Sequence, residues 1–309
     1  MSESKPLSVR LDPLVEGASA LGNRAHACQI AANGKPGFAA PLPIYTRVIH
    51  DGQLSAGLVD VLIQASEEHR IPWIDAPATN APTNSPTGVA RIATIEIDTP
   101  IDFESIERAA AIQLQFYGIP FHKGAANRYS RWRPAMPIEI HAIEDLAHKV
   151  DAIRGCCKPG VPVGAAIIAS EGTIYEDVRF MVDSGVDWIE IIHAPCYDLL
   201  PEACFTFDDV SRCLTKGVKA RNDSKRTCPL WLTSSSAQLN DWLRWFDQGI
   251  QAISIDAYLA SHRPVHNAPR DTLAGIRVQN TNPHAAHLWI HDTVRELVDR
   301  VSDLVVFRS

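Results

Sequence analysis

Long apolar runs are what this sequence most lacks. The longest, such as Val163 to Ala169, fall far short of what a bilayer crossing requires. The first residues, Met1 to Pro6, carry none of the apolar stretch of a secretory signal, so a cytoplasmic location is expected. Cysteine is sparse: seven residues, an odd number and scattered, suit reduced thiols better than a disulfide framework. A large excess of charge of one sign is missing too. With 29 Lys and Arg against 36 Asp and Glu the net charge is −7, which gives no electrostatic reason to expect nucleic acid or an anionic membrane as partner. No low-complexity tract interrupts the chain, and no H-x-H or H-E-x-x-H spacing occurs.

What is present is an alternation. A chain of 309 residues, 46% hydrophobic and 21% charged, can bury a large core. From about residue 42, short β-rich runs alternate with segments of helical period, the pattern of βα units around a parallel sheet. Strands are expected at Ile44–Val48, Ile71–Asp75, Ile112–Phe116, Ile138–His141, Val163–Ala169, Trp188–Ile192, Leu230–Leu232 and Ala252–Asp256. Between them, Leu54, Leu58, Val61, Leu62 and Ala65 make one apolar helix face, and Ile143, Leu146, Ala147, Val150 and Ile153 another. Thr173 with Glu176, and Ser235 with Gln238, read as capping boxes, each helix then closed by a glycine, Gly185 or Gly249. The expected fold is therefore a (β/α)8 TIM barrel over residues 42–309. It has an irregular N-terminal extension over 1–41, with a small hairpin around Asn33–Gly34, and a C-terminal helix from about His284 to Val305. A doubly wound open sheet is the alternative, since periodicity alone does not establish closure. Two connections break the repeat: Ala76 to Pro100, with an extra strand at Ile92–Ile97, and Tyr117 to Pro137, without a helix.

Barrel enzymes build their active sites on the loops at the carboxyl ends of the strands. The polar residues expected there are His50, Asp51, Asp75, Gln115, His141, Glu171, His193, Cys196, Thr233 to Ser236, Asp256 and Tyr258. The run Thr233, Ser234, Ser235, Ser236 opens a helix, where amides and the helix dipole suit a phosphate; a plain N-cap at Ser235 explains it equally. His50, His141, His193 and Cys196 offer imidazole and thiolate ligands for zinc or iron, against the blander reading of separately hydrogen-bonded side chains. Arg128, Arg131 and Arg133, interleaved with Tyr129 and Trp132, suit a subunit interface or the grip on a planar anion. Cys156 and Cys157 read as surface thiols.

Several stretches resemble one family. The run from Pro137 to Leu146 is similar to the "IYSIEDL" segment of the FMN-binding barrel of glutamate synthase. Val161 to Ile167 and Gly172 to Ile191 resemble its fifth and sixth strand region. Gly22 to Ala25, and Pro41 to Ser55 with Gly52, Leu54 and Ser55, resemble the start of its barrel, and Ala111 to Gln115 one of its strands. The likeness covers most of residues 20 to 260 and extends equally to stand-alone barrel subunits such as that of N-methylglutamate synthase. It implies an oxidoreductase subunit of ammonia or methylated-amine metabolism, in a hetero-oligomeric enzyme that handles a small amine or ammonia. FMN contacts would fall on Ser55, Gln113, Gln115 and Thr233 to Ser236. Against the family pattern, its strand-five lysine falls on Ala165 or Gly164, and its loop after strand six becomes His193 to Asp198. The serine run also replaces a glycine-rich phosphate loop. Two further readings therefore stand beside it: a structural or channelling barrel without flavin and with a metal site at its mouth, and an independent metal-dependent barrel enzyme.

Overall fold

The computed structural model describes residues 30–32, 35–38, 40–47, 56–75, 91–96, 106–116, 118–120, 132–134, 143–169, 171–193, 206–224, 226, 228–234, 236–262 and 283–306. Eight strands form a closed, all-parallel barrel: β3 (Ile44–Arg47), β4 (Trp73–Ile74), β5 (Arg91–Glu96), β6 (Ala111–Phe116), β9 (Val163–Ile168), β10 (Ile189–His193), β11 (Leu230–Ser234) and β12 (Ala252–Ser254). The fold is thus a (β/α)8 barrel, and the open sheet is set aside. β12 returns to β3 through Ile253↔Ile44 and Ser254↔Tyr45, which removes the sheet edge.

Eight strands were expected, and one of them is a different strand. Residues 91–96 are not an extra piece but the third barrel strand, paired with β4 on one side and β6 on the other. β6 then pairs directly with β9, Ile112 opposite Val163 and Phe116 opposite Ile167. The ring of eight is complete without Ile138–His141, which lie outside the described residues. The short apolar run there resembled a strand because period-2 alternation over four residues carries little information.

Outside the barrel lie two small antiparallel pairs. β1 (Ile30–Ala32) and β2 (Lys35–Phe38) form the expected hairpin, and β7 (Gly118–Pro120) pairs with β8 (Trp132–Pro134) within the connection that was expected to hold no helix. The helical layer comprises α1 (Ala56–Glu68), α2 (Ile143–Cys156), α3 (Ile174–Asp183), α4 (Phe207–Asp223), α5 (Leu239–Gln248), α6 (Asp256–Ser261) and α7 (Pro283–Val306). α7 buries Ile290, Val294, Leu297 and Val301, one helical stripe, in the core shared with Leu62 and Ala65 of α1. Among the described residues no helix is long and apolar enough to cross a membrane.

The caps differ from expectation in detail. Thr173 is the N-cap of α3, but its hydroxyl donates to Asp177 at 2.7 Å instead of accepting from a backbone amide. α5 starts three residues later than a Ser235 cap requires, with Gln238 at the N-cap. A full capping box is found instead on α4, where the Thr206 hydroxyl accepts from the Asp209 amide and the Asp209 carboxylate accepts from the Thr206 amide. The glycine stops hold: Gly185 and Gly249 have φ of 89° and 106°, which only glycine adopts at little cost.

Candidate active site in the barrel lumen

Strand parity decides what enters the lumen. Alternate residues of a β-strand face opposite sides, so each barrel strand sends one set to the helices and the other inward. Ile44, Ile112, Leu114, Val163, Ala165, Ile189, Ile191, Leu230, Leu232 and Ile253 belong to the core shared with the helices. Their neighbours Tyr45, Ile74, Ile92, Ala111, Trp188, Trp231 and Ala252 form a separate inner cluster, joined by Ala40 from the chain that follows the hairpin. This is the floor of the lumen. The Trp231 ring lies 4.8 Å from that of Tyr45 and 5.9 Å from that of Trp188, centroid to centroid. Trp188 in turn rests on Gly164, where a Cβ would stand 2.2 Å from the indole. The position matched to the family's lysine is therefore either Ala165, facing the helices, or Gly164, whose side-chain space an indole fills.

One step further along the strands the lumen turns polar. Arg47 of β3 and Glu190 of β10 form an ion pair at 2.7 Å with both side chains buried. Glu190 Oε2 also accepts from Gln113 Nε2 at 2.8 Å, and Oε1 accepts from Thr233 Oγ1 at 2.6 Å and from the Tyr45 hydroxyl at 3.0 Å. Arg47 Nη2 donates to Gln115 Oε1, and Gln115 Nε2 to Gln113 Oε1, each at 2.7 Å. Side chains of β3, β6, β10 and β11 are thereby tied across the barrel. A buried ion pair offsets its desolvation only when its remaining valences are satisfied, and here the surrounding amides and hydroxyls do so. Burial, and then the neighbouring Glu190 carboxylate, push the Tyr45 phenol well above its ordinary value, so it remains a donor.

The closing seam carries a second carboxylate. Asp256, where β12 turns into α6, accepts from Thr46 Oγ1 at 2.7 Å and from the Arg47 amide at 3.2 Å. Asp256 keeps some exposed surface, yet protein surrounds its carboxyl closely enough that desolvation raises it to about 6, against the opposing pull of Thr46, Ser254 and Arg47.

The anticipated site residues divide. Gln113, Gln115 and Thr233 come together in the lumen, all buried. Ser234 and Ser236 do not join them. Ser234 shares the outward parity of Leu230 and Leu232; its Oγ accepts from the Ser236 amide at 3.1 Å. Ser236 Oγ accepts from the Gln238 amide at 3.2 Å and donates to Asp241 at 2.6 Å. The start of α5 thus supplies its own carboxylate at the positive end of the helix dipole. His193 has the parity of Ile189 and Ile191 and faces the helical layer, where Asp209 at the start of α4 is its charged neighbour; burial holds its imidazole below the ordinary value. Asp75, with the outward parity of Trp73, pairs with Arg91 at 2.6 Å. His50, Ser55, His141, Cys196 and Ser235 lie outside the described residues. Among the described residues no group of three His, Cys, Asp or Glu side chains is placed to hold a metal ion. Arg47, Tyr45 and Glu190 had not been singled out from the sequence. The signal was there: Glu190 interrupts an apolar run and Arg47 ends a fully buried strand, and a charge in a doubly buried strand needs a partner.

No model of a known protein family matches the chain, and no curated protein does. Solved structures do match. A mandelate oxidase variant with (S)-mandelic acid superposes with a TM-score of 0.54 at 15% identity, covering 91% of this chain and 79% of that one. Another, holding a monooxide FMN adduct, gives 0.51 at 15% identity, covering 89% and 77%. A flavocytochrome b2 double mutant with pyruvate bound gives 0.53 at 10% identity, covering 90% and 70%. What the chain shares with these proteins is the barrel itself, a closed (β/α)8 fold, here with an ion pair at the centre of its lumen.

Proposed function

We propose that this chain is an FMN-type barrel oxidoreductase of the glutamate-synthase-like kind, acting as one subunit of a larger enzyme of ammonia or methylated-amine metabolism. The observation that carries the reading is the match of about nine tenths of the chain to barrels that include one solved with an FMN adduct. The lumen offers a partial fit. Gln113 and Gln115 are fully buried, and each gives only one of its two amide hydrogens to a partner among the described residues. A buried donor without an acceptor is costly, and a ring carbonyl over the mouth would satisfy it. These two amides and Thr233 are the lumen groups we assign to the ring of the cofactor, and Ser234 to Ser236 with Ser55, outside the lumen cluster, those we assign to its phosphate end. FMN, when bound, supplies a two-electron acceptor. The chain's own part is to orient the ligand on the Gln115 and Arg47 layer, while Trp188 and Trp231 close the lumen beneath it.

A second reading, a structural or channelling barrel without flavin, is favoured by one observation: the amides of Ser236 and Gln238 are bonded to serine hydroxyls and Asp241 stands where a phosphate would sit. Titration of the purified protein with FMN and with riboflavin, followed by absorption near ~450 nm and by flavin fluorescence, separates the two. FMN bound at one equivalent and more tightly than riboflavin is the expected result. Equal binding of the two would move the phosphate away from residues 233–236, and binding of neither would leave the second reading.

A further inference from the structure

The ladder that closes the barrel is extended by a side chain. β12 and β3 share two paired positions, with the Ile253 amide on the Pro43 carbonyl at 3.1 Å and the Ile255 amide on the Tyr45 carbonyl at 2.9 Å. At the next step, where the strand would go on, the chain has already turned into α6. The Asp256 carboxylate takes that place, accepting the Arg47 amide through Oδ2 and the Thr46 hydroxyl through Oδ1. The same residue, Arg47, sends its guanidinium inward to Glu190 and Gln115. One residue therefore joins the seam to the polar lumen.

We propose that the Asp256 carboxyl is a proton-operated latch on this seam: ionised, it holds the Arg47 amide and with it the mouth side of the lumen, and neutral, it loosens that hold. The physical basis is that a bond to an ionised acceptor is roughly twice as strong as one between neutral groups, and the contact to the amide, at 3.2 Å, is already long. The groups acting on the carboxyl are known from each element around it: the Thr46 hydroxyl and the Arg47 amide and guanidinium on β3, and the Ser254 hydroxyl on β12. Glu190 of β10 stands behind Arg47, and Glu296 and Arg300 of α7 meet the Tyr258 hydroxyl, two residues along α6. Desolvation raises Asp256 to about 6, which brings the transition close to neutral pH. The inference needs neither flavin nor a partner subunit, so it stands or falls apart from the function proposed above.

The test is amide hydrogen exchange at single-residue resolution from about pH 5 to about pH 7.5, corrected for the intrinsic exchange rate, with the Ile253 and Ile255 amides as references in the same seam. Protection of the Arg47 amide is expected to fall about fivefold relative to those references as the pH drops, and to become independent of pH in Asp256→Asn, whose side-chain carbonyl still accepts. Arg47 protection that tracks Ile253 and Ile255 at every pH in the wild-type protein would overturn the proposal, whether or not the variant folds. Persistence of the pH dependence in Asp256→Asn would overturn it as well, by placing the titration elsewhere.

Discussion

Glu190 is the residue on which the lumen depends most. Four side chains donate to its two oxygens, and its removal leaves Arg47 buried beside unpaired amides and hydroxyls. Breaking a buried pair by deleting one partner costs ~3–5 kcal/mol, whereas replacing both members with apolar side chains is often close to neutral. Glu190→Ala should accordingly lose stability on that scale in urea unfolding, and Arg47→Met with Glu190→Leu should recover most of it. If the double variant were no better than the single one, the stabilisation would reside in the surrounding network and not in the pair.

Two residues set opposite dependences on pH. His193 is held below its ordinary value of 6.5 by burial, so the unfolded chain takes up a proton that the folded one refuses. Its contribution therefore turns destabilising as the pH falls below about 6.5. Asp256 works the other way: raised to about 6, it takes up a proton in the folded state before the unfolded chain does, and stability gains as the pH drops from about 6 toward its ordinary 3.8. In an Asp256→Asn background, melting temperature should fall between about pH 6.5 and pH 5, and adding His193→Leu should flatten that slope. An unchanged slope after His193 is replaced would assign the loss to another group. Cys213 and Cys228 play no part here, since burial pushes them to about 11 and about 12.

At the level of elements, the helices were the most legible part. The apolar face of α3 was read residue for residue, and Leu146, Val150 and Ile153 of the face expected for α2 are buried, because a period of 3.6 over ten or more positions is a strong signal. α4 was passed over although its Thr206 and Asp209 carry the capping signature that was sought at Thr173 and Ser235. Capping pairs recur by chance in polar loops, and only the position of the first helical turn decides which of them bonds. A second regularity escaped the sequence entirely. Arg154 of α2 donates to the carbonyl of Gly185, which ends α3, and Arg221 of α4 donates to that of Gly249, which ends α5. Each arginine lies some 30 residues from its glycine in the chain, and no local pattern links them. The sharpest test at this scale concerns the floor. Gly164→Ala puts a methyl group 2.2 Å from the Trp188 ring, and overpacking of a tight core costs ~1–3 kcal/mol. Pairing it with Trp188→Leu should relieve the clash, and thermal melts of the two single variants and the double one read the coupling directly. Additive losses would mean that the indole can move aside.

For the molecule as a whole, closure and the last helix act together. α7 packs four aliphatic side chains against the shell around α1, each worth ~1.5–3 kcal/mol when fully buried. Their sum approaches the ~5–15 kcal/mol by which a whole domain is stable. A chain ending before Pro283 should therefore lose its cooperative melt and bind a hydrophobic dye; a truncated chain melting at the full-length temperature would make α7 an ornament.

The sequence by itself determined the alternation of strand and helix, seven of the eight barrel strands and the glycine stops, since each of these is a local preference repeated along the chain. It also placed Gln113, Gln115 and Thr233 among the residues of interest. Only the tertiary structure decided that residues 91–96 enter the ring, that His193 and Ser234 turn toward the helices, and that Arg47 meets Glu190. The reason is geometric. Parity needs the exact strand phase, and the two members of the ion pair are 143 residues apart, so nothing short of barrel closure brings them within 2.7 Å.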